Sequence, residues 1–133
     1  TLSALRTFRP STIRLTIDGA VMEKEIMLAA IANGRYFGAG MKIAPDADMQ
    51  DGLLEVITLA RMSKAYLIRK IAHVYRGTHT ALPEVDVFRG KRIGAETTAV
   101  NASGPIHVET DGENSGLLNC EFSVEKQALR FAQ

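Results

Sequence analysis

Asp46, Asp48 and Asp51 crowd three carboxylates into one short stretch of the chain. Carboxylates and backbone carbonyls are the donors that a hard cation such as Mg2+ or Ca2+ takes, so this stretch could hold a metal. The spacing is not that of an EF-hand, which needs more ligands and a distal glutamate. Aspartates at this density also bond their own backbone in Asx-turns, and spacing alone leaves the two readings even. A second acidic group, Asp111-Gly112-Glu113, follows an alternating segment in which His107, Glu109 and Asp111 share the polar side. A carboxylate held there could serve as a general base. Asp-Gly is equally a favoured turn pair, and unaided the turn is the stronger reading.

The remaining reactive side chains offer less. His73, His79 and His107 show no metal-ligand spacing, and His73 reads as a cation near a helix end. The single cysteine, Cys120, shares the apolar side of its segment with Phe122 and reads as an inert core residue. No Ser/His/Asp or Cys/His arrangement can be argued. Gly34, Gly38 and Gly40 stand within Asn33-Gly34-Arg35-Tyr36-Phe37-Gly38-Ala39-Gly40, where backbone could approach a ligand closely. That run lacks the Lys-Ser/Thr of a phosphate-binding P-loop and does not match the dinucleotide fingerprint. With residues up to 53 it forms a long loop without periodicity, the kind that is often functional.

The elements around these residues are mostly strands. Ile13, Leu15 and Ile17 alternate with Arg14, Thr16 and Asp18, and Asp18-Gly19 supplies a hairpin turn. The returning strand alternates through Val21, Glu23 and Glu25 and is then continuously apolar over 26–32, as if entering the core with both faces covered. Residues 54–59 read as a buried strand, with 85–88 and 92–100 as further candidates. Ile106, Val108 and Thr110 alternate, as do Leu118, Cys120, Phe122 and Val124; Leu129 and Phe131 close the chain in the same style. One segment, 63–76, has the helical period, with Leu67, Ile71, Val74 and Tyr75 on one face. Ser63 is its expected N-cap, Gly77 its stop, and Arg69, Lys70, His73 and Arg76 lie toward its C-terminal end. A basic amphipathic helix could touch a membrane, but packing on the sheet with its charges solvated is the favoured expectation. The fold class that follows is mostly β: a β-sandwich of antiparallel strands with one amphipathic helix packed on it.

The chain has 133 residues, 46% hydrophobic and 23% charged, which fits one globular domain over 1–133. A formal net charge of +1 gives no global field for nucleic acid. One cysteine excludes an intramolecular disulfide and favours a reducing, cytoplasmic compartment. The apolar run 26–32 is far shorter than the roughly 20 residues of a membrane span. The opening Thr1-Leu2-Ser3-Ala4-Leu5-Arg6 has no charged-then-apolar leader and is expected to be an internal stretch of a longer protein.

The run Asn33 through Ala44-Pro45, followed by Asp51-Gly52-Leu53-Leu54-Glu55-Val56, strongly resembles the second domain of soluble bacterial lipid kinases, the diacylglycerol kinase/sphingosine kinase-like family. The Asp18-Gly19 hairpin, Gly77-Thr78-His79 leading to Val85, Asp111-Gly112-Glu113 and the closing Phe122…Ala128-Leu129-Arg130 fall in the family's order. The resemblance implies a C-terminal β-sandwich domain of a two-domain enzyme that transfers the γ-phosphoryl group of ATP to a lipid hydroxyl and requires Mg2+. ATP would be bound mainly by an N-terminal α/β domain with a Gly-Gly-Asp-Gly-Thr loop, which nothing here matches, so the chain alone is expected to be inactive. By the same resemblance Asp51 would be the carboxylate of a structural Mg2+ site, with Asp48 and Leu53 as carbonyl donors. Asp111 and Glu113 would be the acidic pair at the interdomain cleft, Glu113 taking the proton of the lipid hydroxyl. The implied partner is a lipid at a membrane surface reached from the cytoplasm; an exposed sheet edge could also pair two copies into a homodimer. The family often has three consecutive glycines where this chain has Gly38-Ala39-Gly40, which a methyl tolerates unless φ there is positive. The competing reading is a free-standing β-sandwich that binds a ligand or regulates a partner without catalysis. A lone Mg2+-dependent hydrolase is a third, poor in candidate catalytic groups.

Overall fold

The structure, a computed structural model, describes residues 10–98 and 104–128. Thr1 and its neighbours, the end of the 92–100 candidate, and Leu129, Arg130 and Phe131 lie outside the described residues. In chain order the elements are β1 (Ser11–Ile17), β2 (Ala20–Ala32), β3 (Leu54–Ala60), α1 (Lys64–Arg76), a 3-10 turn (His79–Ala81), β4 (Val85–Gly90), β5 (Arg92–Thr97), β6 (His107–Thr110), β7 (Glu113–Leu117) and β8 (Cys120–Ser123). Among the described residues six strands form one antiparallel sheet in the order β4-β3-β2-β1-β5-β8, and β6 pairs only with β7. The mostly-β, sandwich-like class expected from periodicity is what the chain adopts.

The first hairpin turns where the sequence places it. Asp18 and Gly19 have φ of 47° and 89°, the positive pair of a type I′ turn whose twist matches the flanking strands. Register then follows from burial: Ile13, Leu15 and Ile17 of β1, Ile93 and Ala95 of β5, and Leu54 and Val56 of β3 form one buried cluster. Leu118, Cys120, Phe122 and Val124 pack against it, confirming their shared side. Ile57, on the opposite face of β3, enters a second cluster with Ile43, Ala44, Ala47 and Val85. Strand β3 is thus covered on both faces, which is why its sequence is apolar without alternation. The run 26–32 is covered less completely: Ile26 is buried, Ala29 is exposed, and the register shifts between Ile26 and Leu28 as β2 passes from β1 to β3.

The sheet curls until the end of β4 meets β1. A Cβ at Gly90 would lie 2.6 Å from Ile17 Cγ2, so only glycine fits there. The Asp18 carboxylate closes this corner, accepting from the amides of Lys91 at 3.0 Å and Arg92 at 2.9 Å.

Helix α1 has the caps its sequence promises. Ser63 Oγ accepts from Tyr66 N at 3.2 Å, and Gly77 stops the helix at φ 71°. Its packing corrects the expectation of a core-facing stripe. No residue of α1 is buried, and of the expected face only Leu67 and Val74 are even half-buried. The helix is moored at its C-terminal end, where Val74 packs on the second cluster and accepts from Lys42 N at 3.1 Å. Ile71 and Tyr75 remain outside this contact. Among the described residues no helix is long and apolar enough to cross a membrane.

Candidate functional site

The glycine run folds as a tight reversal. Phe37 and Met41 exchange both backbone hydrogen bonds, at 3.0 and 3.2 Å, around Gly38 (φ 55°) and Gly40 (φ 84°). Ala39 between them is not among the positive-φ residues, so its methyl is accommodated. Beyond the reversal, Ile43, Ala44 and Ala47 plug the second cluster and pin the chain to the sheet. His79 adds a buried pin, its Nε2 standing 2.9 Å from the Ile43 carbonyl oxygen.

The aspartate stretch follows directly. Asp48 Oδ1 accepts from Gln50 N, and Asp51 Oδ1 from Leu53 N, both at 2.8 Å. The amide of Asp51 also donates to the Asp48 carbonyl at 3.3 Å. Both aspartates therefore make Asx-turns, each with one oxygen, leaving the other free of these local bonds. Gly52, buried at φ 75°, lets the chain reverse beneath Lys126 and enter β3.

Two arginines brace the loop from outside. Arg35 Nε donates to the Ala47 carbonyl at 2.9 Å, and Arg89 Nη2 to the Asp46 carbonyl at 2.8 Å. Arg89 is itself held by its cross-strand partner Glu55, whose Oε1 accepts from Nε at 2.9 Å. The Glu55 hydrogen bond and charge, with smaller contributions from Asp46 and Asp51, hold the guanidinium above its usual range. Glu55 is 2% exposed, and among the described residues its buried Oε2 has no partner. Neither Arg89 nor Glu55 figures in the acidic motif. The signal for them is Glu55 itself, a charge inside the otherwise apolar strand 54–59, which requires a partner.

The donors present fit a hard divalent cation. Among the described residues no three His, Cys, Asp or Glu side chains cluster tightly enough to hold a metal by themselves. The loop instead offers the Asp51 carboxylate with nearby backbone carbonyls. That is the sparse, all-oxygen set suited to Mg2+, which keeps several waters.

The second acidic group sits on a separate hairpin. Asp111 and Gly112, at φ 52° and 85°, are the two central residues of the β6–β7 turn, with Thr110 and Glu113 paired across it. Asp111 therefore leaves the strand alternation and projects from the turn, so His107 and Glu109 do not set its direction. Every residue of β7 is exposed, Glu113 included. Ser115 holds the strand in shape, bonding Thr110 through the two hydroxyls, while Gly116 N donates to Asn114 Oδ1 at 2.9 Å beside a register shift. Among the described residues no donor engages either the Asp111 or the Glu113 carboxylate, and no hydrogen bond or ion pair joins this hairpin to the aspartate loop. Cys120 is half-buried, and burial pushes its thiol up, in keeping with an inert residue.

Comparison with known proteins places the whole chain. Residues 1–133 match the family described as the YegS C-terminal NAD kinase beta sandwich-like domain. The chain is 32% identical over 130 residues to a diacylglycerol kinase of Mycobacterium tuberculosis, covering 97% of this chain and 40% of that protein. It is 28% identical over 121 residues to a diacylglycerol kinase of Bacillus subtilis, covering 91% of this chain and 38% of that protein. A crystal structure of a diacylglycerol kinase from Bacillus anthracis superposes with a TM-score of 0.70 at 23% identity, over 94% of this chain and 42% of that one. The chain thus spans about two-fifths of the length of these relatives. Its curled antiparallel sheet and full-length match make it a member of the YegS C-terminal, NAD kinase beta sandwich-like domain family.

Proposed function

We propose that this chain is the β-sandwich portion of an ATP-dependent lipid kinase, acting on a diacylglycerol-like or related lipid alcohol. The observation that supports this best is a full-length match to a family whose relatives are named diacylglycerol kinases, together with a braced all-oxygen loop at Asp46–Leu53. Phosphoryl transfer depends mainly on positioning and on neutralising charge, most of which the rest of the longer protein would supply. Asp51 would hold a structural Mg2+ through the oxygen not committed to Leu53 N, with Asp48 and Leu53 offering carbonyls. Arg35 and Arg89 keep those donors in place by fixing the carbonyls of Ala47 and Asp46.

Glu113, exposed at the start of β7, would take the proton of the lipid hydroxyl as its oxygen bonds to the γ-phosphorus and the bond to the β-phosphate oxygen breaks. Asp111, in the turn two residues before it, would be the second carboxylate of the acidic pair. ATP would be bound mainly by the portion of the longer protein that this chain does not include, and the chain alone would be inactive. A reading as a free-standing binding module has no observation of its own in its favour.

The test is transfer of labelled γ-phosphate from Mg·ATP to a panel of lipid alcohols dispersed in detergent micelles. The longer parent protein and the 133-residue chain are assayed side by side. Transfer by the parent and none by the chain is the expected result. A parent inactive on every lipid alcohol would overturn the proposal.

A further inference from the structure

Helix α1 leaves an apolar stripe uncovered. Ile68, Ile71 and Tyr75 are 52%, 44% and 50% exposed. Their i, i+3, i+7 spacing confines them to an arc of about 60° on one side of the helix. The contact side is different: Val74 reaches the second cluster and Leu67 is half-buried beside it. Packing among the described residues does not explain a stripe this exposed.

The same helix concentrates positive charge. It carries Lys64, Arg69, Lys70 and Arg76 with His73, and not one Asp or Glu. The whole chain has a net charge of only +1, so the remainder is net negative and α1 is its cationic face. Among the described residues Lys64, Arg69 and Arg76 take part in no ion pair, and Lys70 lies over the Tyr66 ring at 5.4 Å. Arg69 and Arg76 lie together along one side of the stripe by helical position.

We propose that this face of α1 docks on a bilayer surface bearing anionic lipid headgroups. Ile68 and Ile71 would enter the headgroup–acyl boundary, Tyr75 would sit at the level of the headgroups, and Arg69 and Arg76 would meet their negative charge. At 13 residues the helix is about 20 Å long, so it lies on the surface and does not cross it. Charge complementarity selects this partner over a protein. Lys64 stands one turn before the stripe, the two arginines run along one side of it, and the helix has no acidic residue, so an anionic surface matches it. The choice of a membrane rests on the lipid-kinase reading; the geometry of the face does not.

The experiment is vesicle flotation of the 133-residue chain without ATP. It compares phosphatidylcholine vesicles with vesicles containing about one-third phosphatidylglycerol. Two variants accompany the wild type: Ile68→Ser with Ile71→Ser, and Arg69→Glu with Arg76→Glu. All four positions are exposed, and unchanged circular dichroism checks that the fold persists. Wild type is expected to favour the anionic vesicles about tenfold or more, and each variant to lose about tenfold of that binding. Binding that is absent, indifferent to lipid charge, or unaltered in the variants would overturn the proposal. Flotation of the chain but not of the longer parent would also overturn it, by showing that the parent covers this face. Because lipid phosphorylation is read in micelles, a failure here leaves that reading standing, and a failure there does not affect flotation.

Discussion

Arg89 stands 43 positions from Asp46 in the sequence, yet its Nη2 donates to the Asp46 carbonyl at 2.8 Å while its Nε binds Glu55. The aspartate loop is therefore fastened to the sheet through a cross-strand ion pair on β3 and β4. One end of that pair is deeply buried, with side-chain exposures of 3% for Glu55 and 43% for Arg89. Removing the arginine would strand the glutamate.

Arg89→Met is expected to cost about 2–3 kcal/mol in urea unfolding, toward the low side for a broken buried pair because the arginine is half exposed. Adding Glu55→Met should recover most of that loss, since two apolar side chains then replace the pair. A double variant as unstable as the single one would show that the ion pair is not the source of the cost.

The aspartate loop predicts a metal response that can be read without catalysis. Mg2+ at tenfold over its Kd should stabilise the wild-type chain by about 1.4 kcal/mol. Asp51→Asn keeps an oxygen to accept from Leu53 N but removes the charge, so its unfolding should be indifferent to Mg2+. Equal stabilisation of both proteins would place any Mg2+ elsewhere.

Asp18 carries an acid-sensitive contact at the corner of the sheet. The backbone amides of Arg92 and Lys91 hold its carboxyl below the usual aspartate range, with burial opposing them weakly. A folded-state pKa below the unfolded value of about 3.9 means the contribution is complete above that pH and is lost as pH falls through the folded value. Asp18→Asn keeps a residue type that tolerates the φ of 47° but cannot ionise. Its stability should vary less than that of wild type between about pH 4 and pH 2, as followed by urea unfolding at each pH. Parallel curves for the two proteins would show that Asp18 is not the titrating group.

Local features were the most legible in the sequence. Asp18-Gly19, Ser63 and Gly77 mark turns and caps because their conformations are set by neighbouring backbone alone. The shared side of Cys120 and Phe122 was legible for the same reason. The aspartate loop was visible as a break in periodicity, but its bracing by Arg35 and Arg89 depends on which strands become neighbours, which no local pattern encodes. The helix misled in a related way. Leu67, Ile71, Val74 and Tyr75 have the spacing of a buried face, yet periodicity cannot say how far around the helix the domain reaches, and of these four only Leu67 and Val74 are half-buried. Asp111 shows the limit of strand parity, which ends at the turn the residue itself makes.

The most direct test of the lipid-kinase reading is the turnover of the parent protein with Glu113→Gln, compared with wild type on its preferred lipid alcohol. Glu113 is exposed on a hairpin outside both buried clusters, so the substitution leaves the fold intact. A fall in kcat of about 100-fold or more, with KM for ATP little changed, is the predicted result for a group that accepts the hydroxyl proton. Wild-type turnover by the variant would contradict that role and leave the acidic hairpin as a turn alone.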